Sequence, residues 1–187
     1  MDQGGPSSIV HRPSSILVIG LGNPILGDDG VGWRVAEEVH RRISNTQYPV
    51  AEKGLGIRDC KVEVDCVSLG GLSLMERMVG YDRAILIDAI ATGQMPAGTV
   101  TRFALEELPD SSAGHTTSAH DTSLHTALEI GRAMGARLPD QVTVVAIESP
   151  HVYDFSEELS PPVAAAVPRA ADVVLAALET QPIPMEE

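Results

Sequence analysis

Residues 16–39 constrain the fold of this chain most strongly, because they read as a strand, a glycine-rich turn and a helix in direct succession. The apolar run at residues 16–19 has the length and branching of a buried strand. The turn that follows contains Gly20 and Gly22. Apolar positions of the helix then recur at the spacing i, i+4, i+8, at Val31, Val35 and Val39. This unit predicts an open α/β sheet, in which ligands bind beyond the carboxyl ends of the strands.

Two consecutive acids, Asp28 and Asp29, lie at the N-terminus of this predicted helix. Acids are favoured there because the first N–H groups of a helix point outward, so we expect one of the two to be a helix cap. The turn is not a dinucleotide fingerprint, because Ile25 occupies the place of the third glycine, and no P-loop is present. Two acids would also repel a pyrophosphate. The pair therefore favours a site for a cation.

The composition excludes several classes of partner. Acids outnumber bases 26 to 13, and the formal net charge of −13 disfavours binding to a nucleic-acid backbone. No apolar run reaches the ~18 residues of a membrane span, and the first residues lack the apolar core of a signal peptide. The separation of Cys60 and Cys66 fits neither a redox CxxC nor a zinc knuckle. We therefore predict a cytoplasmic protein with neither a nucleic acid nor a membrane as partner.

The pattern along the chain alternates strands with helices. It predicts a flexible leader at 1–14, a single α/β domain at 15–180 and a disordered tail at 181–187. The expected fold is a three-layer α/β sandwich with a mostly parallel twisted sheet, one antiparallel edge strand and helices on both faces. We expect strands at about 15–20, 61–67, 83–88, 99–103 (the antiparallel edge) and 142–147, and helices at about 29–42, 70–79, 121–135 and 161–178.

Three residues fall where such a fold places an active site. Asp29 follows the first strand, Asp88 ends the third, and His120 opens the helix after a polar loop. Two carboxylates and one imidazole suit a borderline divalent metal such as nickel or zinc. A cation would also neutralise the paired acids. These residues are therefore the candidate metal site.

Each candidate has a simpler alternative. Asp88 could be a turn residue, and His120 could be incidental, because Ser118 and Asp121 resemble a capping box at the start of its helix. Glu148 ends the last strand, and we predict a structural or supporting role for it. No Gly-x-Ser-x-Gly elbow or His-Glu-x-x-His helix is present. The rival imidazoles, which spacing does not exclude, are His115, His125 and His151.

Taken together, the motifs resemble those of the hydrogenase maturation endopeptidases. They occur in the family's order over about residues 15–178. The first motif is fairly specific to the family, whereas each later motif is a weak signal when taken alone. The matching segments are Gly20-Leu21-Gly22-Asn23 through Asp28-Asp29-Gly30-Val31-Gly32, Ile87-Asp88-Ala89, Ala119-His120 with Ser123-Leu124, and Leu159-Ser160-Pro161.

The resemblance implies an activity and a partner. Such enzymes cut a C-terminal extension from the large subunit of nickel-iron hydrogenase after nickel is inserted. Asp29, Asp88 and His120 would then be the catalytic, metal-contacting residues, and the nickel would be carried by the precursor of the large subunit. Some relatives have Glu at the position of Asp29. Residues 68–71 match the family's glycine-bearing loop only loosely.

Two other functions remain open from the sequence. Peptidyl-tRNA hydrolases also begin with a strand that runs into Gly-Leu-Gly-Asn-Pro, as residues 20–24 do here. That family continues with glycine and a Thr-Arg-His-Asn segment, whereas this chain has Ile25 and then the acid pair. The other alternative is a non-catalytic metal- or nucleotide-binding module. The missing third glycine and phosphate-binding lysine weigh against the nucleotide version.

Overall fold

Strands and helices alternate along the chain in the computed structural model, which describes residues 14–45, 60–107 and 123–179. Most of the predicted leader and the whole predicted tail lie outside these residues. Short 3-10 turns occupy Gly27–Gly30 and Leu105–Glu107. The elements are β1 (Ser14–Leu21), α1 (Val31–Ser44), β2 (Cys60–Val67), α2 (Gly71–Arg77), β3 (Arg83–Ile90), β4 (Val100–Ala104), α3 (Leu124–Ala133), β5 (Gln141–Glu148) and α4 (Pro161–Glu179).

The five strands form one sheet in the order β2-β1-β3-β5-β4. β1 pairs in parallel with β2 and β3, and β3 pairs in parallel with β5. β4 lies antiparallel to β5 at the edge, as the sequence predicts. The chain leaves β1 for β2 on one side and then crosses to β3 on the other. The carboxyl ends of β1 and β3 therefore flank a topological switch point, where open α/β sheets bind their ligands.

Two apolar cores fill the space on either side of the sheet. Alternate residues of β1 supply both, because successive side chains of a strand point to opposite faces. Ile16 and Val18 face the core under α1 and α4, whereas Leu17 and Ile19 face the core under α2 and α3. All four side chains are fully buried. This arrangement confirms the predicted three-layer sandwich.

Helix α3 begins later than the sequence predicts. Its first residue is Leu124 rather than 121, and the hydroxyl of Ser123 accepts a hydrogen bond from the backbone N–H of Thr126 at 3.2 Å. This N-cap satisfies one of the free N–H groups of the first turn. The predicted capping pair, Ser118 and Asp121, lies outside the described residues.

Helix α4 begins at Pro161, as predicted, and belongs to the core of the molecule. By length and composition alone it could cross a membrane, but core helices of soluble proteins pass the same test. Its inward face packs on the sheet and α1, with Val163, Ala170 and Val174 fully buried. Arg83 is buried at the start of β3, and its guanidinium donates a hydrogen bond at 2.8 Å to the carbonyl of Ala177 in the last turn of α4. A cation is favourable at this end of a helix.

Candidate functional site

The turn after β1 folds back on Asp29. Gly22 has φ +113°, and a Cβ atom there would overlap the carbonyl oxygen of Asp29, so the turn requires glycine at this position. The backbone N–H of Asn23 donates to Oδ2 of Asp29 at 2.6 Å. Among the described residues, no donor is bonded to Oδ1. The turn therefore orients this carboxylate and leaves one oxygen available to a ligand.

Two further glycines let α1 approach the ends of the strands. A Cβ on Gly32 would overlap the carbonyl oxygen of Leu21 and lie 2.5 Å from that of Ile87. A Cβ on Gly20 would overlap the carbonyl oxygen of Gly32. The first turn of α1 thus packs directly on the carboxyl ends of β1 and β3. This close packing explains the glycine spacing and brings the acid-bearing 3-10 turn against β3.

Asp28 has a structural role that the sequence does not predict. Its side chain is fully buried and accepts hydrogen bonds from the backbone N–H of Ser160 at 2.6 Å and from its hydroxyl at 2.8 Å. The N-cap of α1 is Gly30, and it makes no side-chain capping bond. The 3-10 turn separates both acids from α1, so the expectation that one of them caps this helix is wrong. Asp28 instead ties the turn to the start of α4.

Asp88 lies near the end of β3 and beside Asp29. Its Oδ1 accepts a hydrogen bond from the backbone N–H of Ala89 at 2.9 Å. The residue keeps some contact with solvent, but its carboxyl group lies among protein atoms. This burial raises the pKa of Asp88 to about 7; the Ala89 hydrogen bond opposes the rise, and the negative charge of Asp29 adds to it. The two predicted carboxylates therefore meet at one edge of the sheet.

The structure does not place the third predicted ligand. His120 lies outside the described residues, as does the rival His115. Of the other imidazoles, His125 is half-buried in the first turn of α3, and the exposed His151 pairs with Asp154 at 2.9 Å. Within the described part of the chain, no three His, Cys, Asp or Glu side chains are grouped to hold a metal. Of the three predicted ligands, the structure brings together the carboxylates of Asp29 and Asp88.

Glu148 supports the connection that follows β3, as predicted for a structural group. This buried carboxylate accepts hydrogen bonds from the hydroxyl of Thr92 at 2.7 Å and from the backbone N–H of Gly93 at 2.8 Å. The Thr92 bond is the main reason that the pKa of Glu148 lies below its usual value. An ionised Glu148 therefore holds this connection against the end of β5.

Two neighbouring segments also hold the acid-bearing turn. Before α2, the hydroxyl of Ser68 donates to the carbonyl of Gly22 at 2.6 Å, which places the loosely matching segment 68–71 beside the site. After β5, the backbone N–H of Gly27 donates to the carbonyl of Ser156 at 2.7 Å. Sequence periodicity gives no signal for either contact, because both join irregular segments far apart in the chain. The site is therefore enclosed by connections from several strands.

Comparison with known proteins identifies the family. A family model described as hydrogenase maturation protease matches residues 60–177. The hydrogenase 2 maturation protease of Escherichia coli K12 is 30% identical over 163 residues, which cover 87% of this chain and 90% of that protein. The chain belongs to the hydrogenase maturation protease family. This membership confirms the resemblance and makes the chain an endopeptidase.

Other maturation proteins agree in sequence and fold. The solved hydrogenase maturating endopeptidase HybD from E. coli superposes with a TM-score of 0.64 at 27% identity, covering 87% of this chain and 91% of that one. The hydrogenase expression/formation protein HupD of Rhizobium leguminosarum bv. viciae is 27% identical over 165 residues, covering 88% of this chain and 74% of that protein. These similarities favour a maturation protease over the alternative of a peptidyl-tRNA hydrolase.

Proposed function

We propose that this protease removes the C-terminal extension of a nickel-iron hydrogenase large-subunit precursor after nickel insertion, and that it recognises the nickel carried by that substrate. One observation carries the proposal: Asp29 and Asp88 meet at the switch point of the sheet, and the pKa of Asp88 is raised to about 7. Two adjacent carboxylates repel each other, and a divalent cation between them removes that repulsion. The relative described as a hydrogenase 2 maturation protease supports the substrate class.

The nickel ion arrives as part of the substrate. Asp29 and Asp88 supply oxygen ligands, and His120 supplies a nitrogen ligand by the family resemblance. Carboxylate and imidazole groups together suit nickel. The remaining ligands come from the precursor, so the protease binds tightly only when precursor and metal are present together.

The two carboxylates act through the ion and through proton transfer. When the nickel-loaded precursor binds, Asp88 would release its proton to solvent to become a ligand, whereas the backbone N–H of Asn23 already orients Asp29. An ion held there would supply either polarisation of the scissile carbonyl or activation of a water molecule, which are the two ordinary roles of a metal in hydrolysis. In both cases Asp29 and Asp88 fix the ion beside the peptide bond.

The negative net charge, which disfavours binding to nucleic acid, is compatible with a protein substrate that carries a metal ion. With a net charge of −13, the protein repels phosphate backbones and attracts cations and basic protein surfaces. We place it in the cytoplasm, acting on a protein precursor, with neither a nucleic acid nor a membrane as partner.

Mass spectrometry of the products tests this function directly. Incubation of the purified protein with a nickel-loaded precursor should release one C-terminal peptide, and serine- and cysteine-protease inhibitors should not prevent it. Asp29→Asn and Asp88→Asn should remain folded and release none. Asp140→Asn, which changes an exposed carboxylate before β5 at the opposite edge, should cut normally.

Failure of the wild-type protein to cut any such precursor would overturn the proposal. Release of tRNA from a peptidyl-tRNA by the same preparation would then establish the alternative hydrolase activity.

A further inference from the structure

The connection after β5 exposes two aromatic side chains that are separated by a single residue in sequence. We call residues 150–158 the aromatic loop. Tyr153 and Phe155 are each 86% exposed, although the whole chain contains only two Phe, three Tyr and one Trp. Scattered exposed apolar residues are normal, but aromatic side chains grouped in solvent are typical of protein–protein contact sites. The loop is therefore a candidate interaction surface.

The backbone of the aromatic loop is fixed against the acid-bearing turn. Gly27 N donates to Ser156 O at 2.7 Å, Ser156 N donates to Ile25 O at 3.1 Å, and Asp28 N donates to His151 O at 3.1 Å. Ser156 is half-buried, whereas Phe155 before it stands in solvent. A loop held in one conformation loses little entropy when a partner binds. These contacts also connect the loop directly to the turn that carries Asp29.

Other exposed apolar side chains surround the same edge of the sheet. Each lies on the loop, or in the first turn of the helix, that follows the carboxyl end of β1, β2 or β3. With Tyr153 and Phe155, they make up six of the nine large apolar side chains that are exposed among the described residues. These additional residues are Ile25, Leu69, Leu72 and Met95. Most of the large exposed apolar side chains among the described residues thus follow the carboxyl ends of the strands, the edge that also carries the two carboxylates.

The charge of the aromatic loop indicates the chemistry of its partner. Asp154, Glu157 and Glu158 are exposed, and residues 150–158 contain no Lys or Arg. Asp154 pairs with His151, and Arg34 Nη2 donates to the backbone carbonyl of Glu157 at 3.4 Å. Among the described residues, the carboxylates of Glu157 and Glu158 have no ion-pair partner. Aromatic faces next to free carboxylates bind guanidinium and ammonium groups by cation–π and ionic contacts. The loop is therefore complementary to a basic surface that also has apolar side chains.

We propose that the aromatic loop is the docking surface for a basic, partly apolar patch on the folded body of the precursor. The inference rests on the proposed function and deepens it, because it assigns where the precursor binds apart from the metal site. Tyr153 and Phe155 are almost wholly in solvent, so they contact a part of the precursor other than the peptide bond cut near Asp29 and Asp88. Docking there holds the precursor beside the carboxylates.

Steady-state kinetics with the nickel-loaded precursor test the aromatic contribution. The double variant Tyr153→Ser/Phe155→Ser should raise KM by about tenfold or more while kcat is unchanged, because the contact is equal in ground and transition states. Its melting temperature should match that of the wild type, since both side chains are exposed. Tyr153→Phe should keep the wild-type KM. Met134→Ser is the matched control, because Met134 is 80% exposed at the end of α3, on the opposite edge.

A charge variant tests the chemistry of the partner. Glu157→Lys/Glu158→Lys should raise KM by about tenfold and reduce its dependence on salt, because the attraction to basic groups is reversed. An unchanged KM in this variant would overturn the assignment of a basic patch.

The kinetic outcomes separate the docking surface from the activity itself. If the wild type cuts the precursor and the folded aromatic double variant cuts it with the same KM, the docking proposal is wrong and the proposed function stands. If the wild type neither binds nor cuts the nickel-loaded precursor, the proposed function fails, and the docking proposal fails with it.

Discussion

At the scale of single residues, two consecutive acids have different roles. Asp28 points inward and receives both hydrogen bonds from Ser160, whereas Asp29 is held by Asn23 and keeps one oxygen without a donor among the described residues. The backbone of the 3-10 turn directs the two side chains apart. Of these two acids, only Asp29 therefore keeps an oxygen available to a ligand.

Replacing Asp28 tests its structural role. Asp28→Asn should lower the free energy of unfolding by about 1–3 kcal/mol, because it replaces an ionised acceptor of two hydrogen bonds with a neutral amide whose NH₂ group cannot accept from a Ser160 donor. Asp29→Asn should change the stability by less than about 0.5 kcal/mol. Urea denaturation of the two variants measures both effects. Equal losses of stability would contradict the distinction between the two acids.

The pKa of Asp88 predicts a pH-dependent stability. The folded protein keeps this proton up to about pH 7, whereas the unfolded chain loses it near the ordinary value of 3.8. Between these values the folded state binds more protons, so the contribution of Asp88 to stability falls as pH rises, and its full cost is present above pH 7. Asp88→Asn should therefore be more stable than the wild type at pH 8, by at least about 1 kcal/mol.

Denaturation of wild type and Asp88→Asn at pH 4 and pH 8 measures this difference. The advantage of the variant should grow with pH across that range. An advantage that is the same at both pH values would show that the titration of Asp88 does not shift on folding.

At the scale of elements, the packing of α1 on β1 and β3 positions the site. Gly32→Ala places a methyl group against the carbonyl oxygens of Leu21 and Ile87, so α1 must move away from the strands. We expect a loss of about 2 kcal/mol or more and a slower cleavage, because Asp29 moves with the helix. Gly70→Ala is the matched control, because a Cβ there meets nothing within 4 Å and its φ is −141°. Similar thermal stability for the two variants would contradict this role of the helix packing.

Elements whose signal is local are predictable from the sequence. The apolar run of β1, the alternation of β4 and the Ser160–Pro161 start of α4 each give the correct type and approximate position. The start of α3 is misplaced, because several Ser, Thr and Asp residues before it can all act as caps and only the structure selects Ser123.

Contacts between distant segments are not predictable in this way. The bond from Asp28 to Ser160 joins residues 132 positions apart, so a local pattern indicates a cap instead. The raised pKa of Asp88 likewise comes mainly from burial in the folded protein, and the smaller contribution of Asp29 requires β1 and β3 to be neighbours. The sequence predicts that Asp29 and Asp88 share an edge, but not which side chains hold them there.

At the scale of the whole molecule, the fold places two neighbouring carboxylates inside a rim of exposed apolar and acidic side chains. The strand order brings Asp29 and Asp88 to the switch point, and the connections around it carry the exposed apolar side chains. A small buried substrate would not need such a rim. The arrangement is the one expected if the proposed docking of a folded precursor is correct.

Above all, cleavage should depend on the nickel in the precursor. The decisive measurement compares the rates at which the purified protein cuts nickel-loaded and metal-free forms of the same precursor, with products weighed by mass spectrometry. We expect that the nickel-loaded form loses its C-terminal peptide, that the metal-free form remains whole, and that Asp29→Asn cuts neither. Equal cleavage of the two forms by the wild-type protein would contradict recognition of the metal.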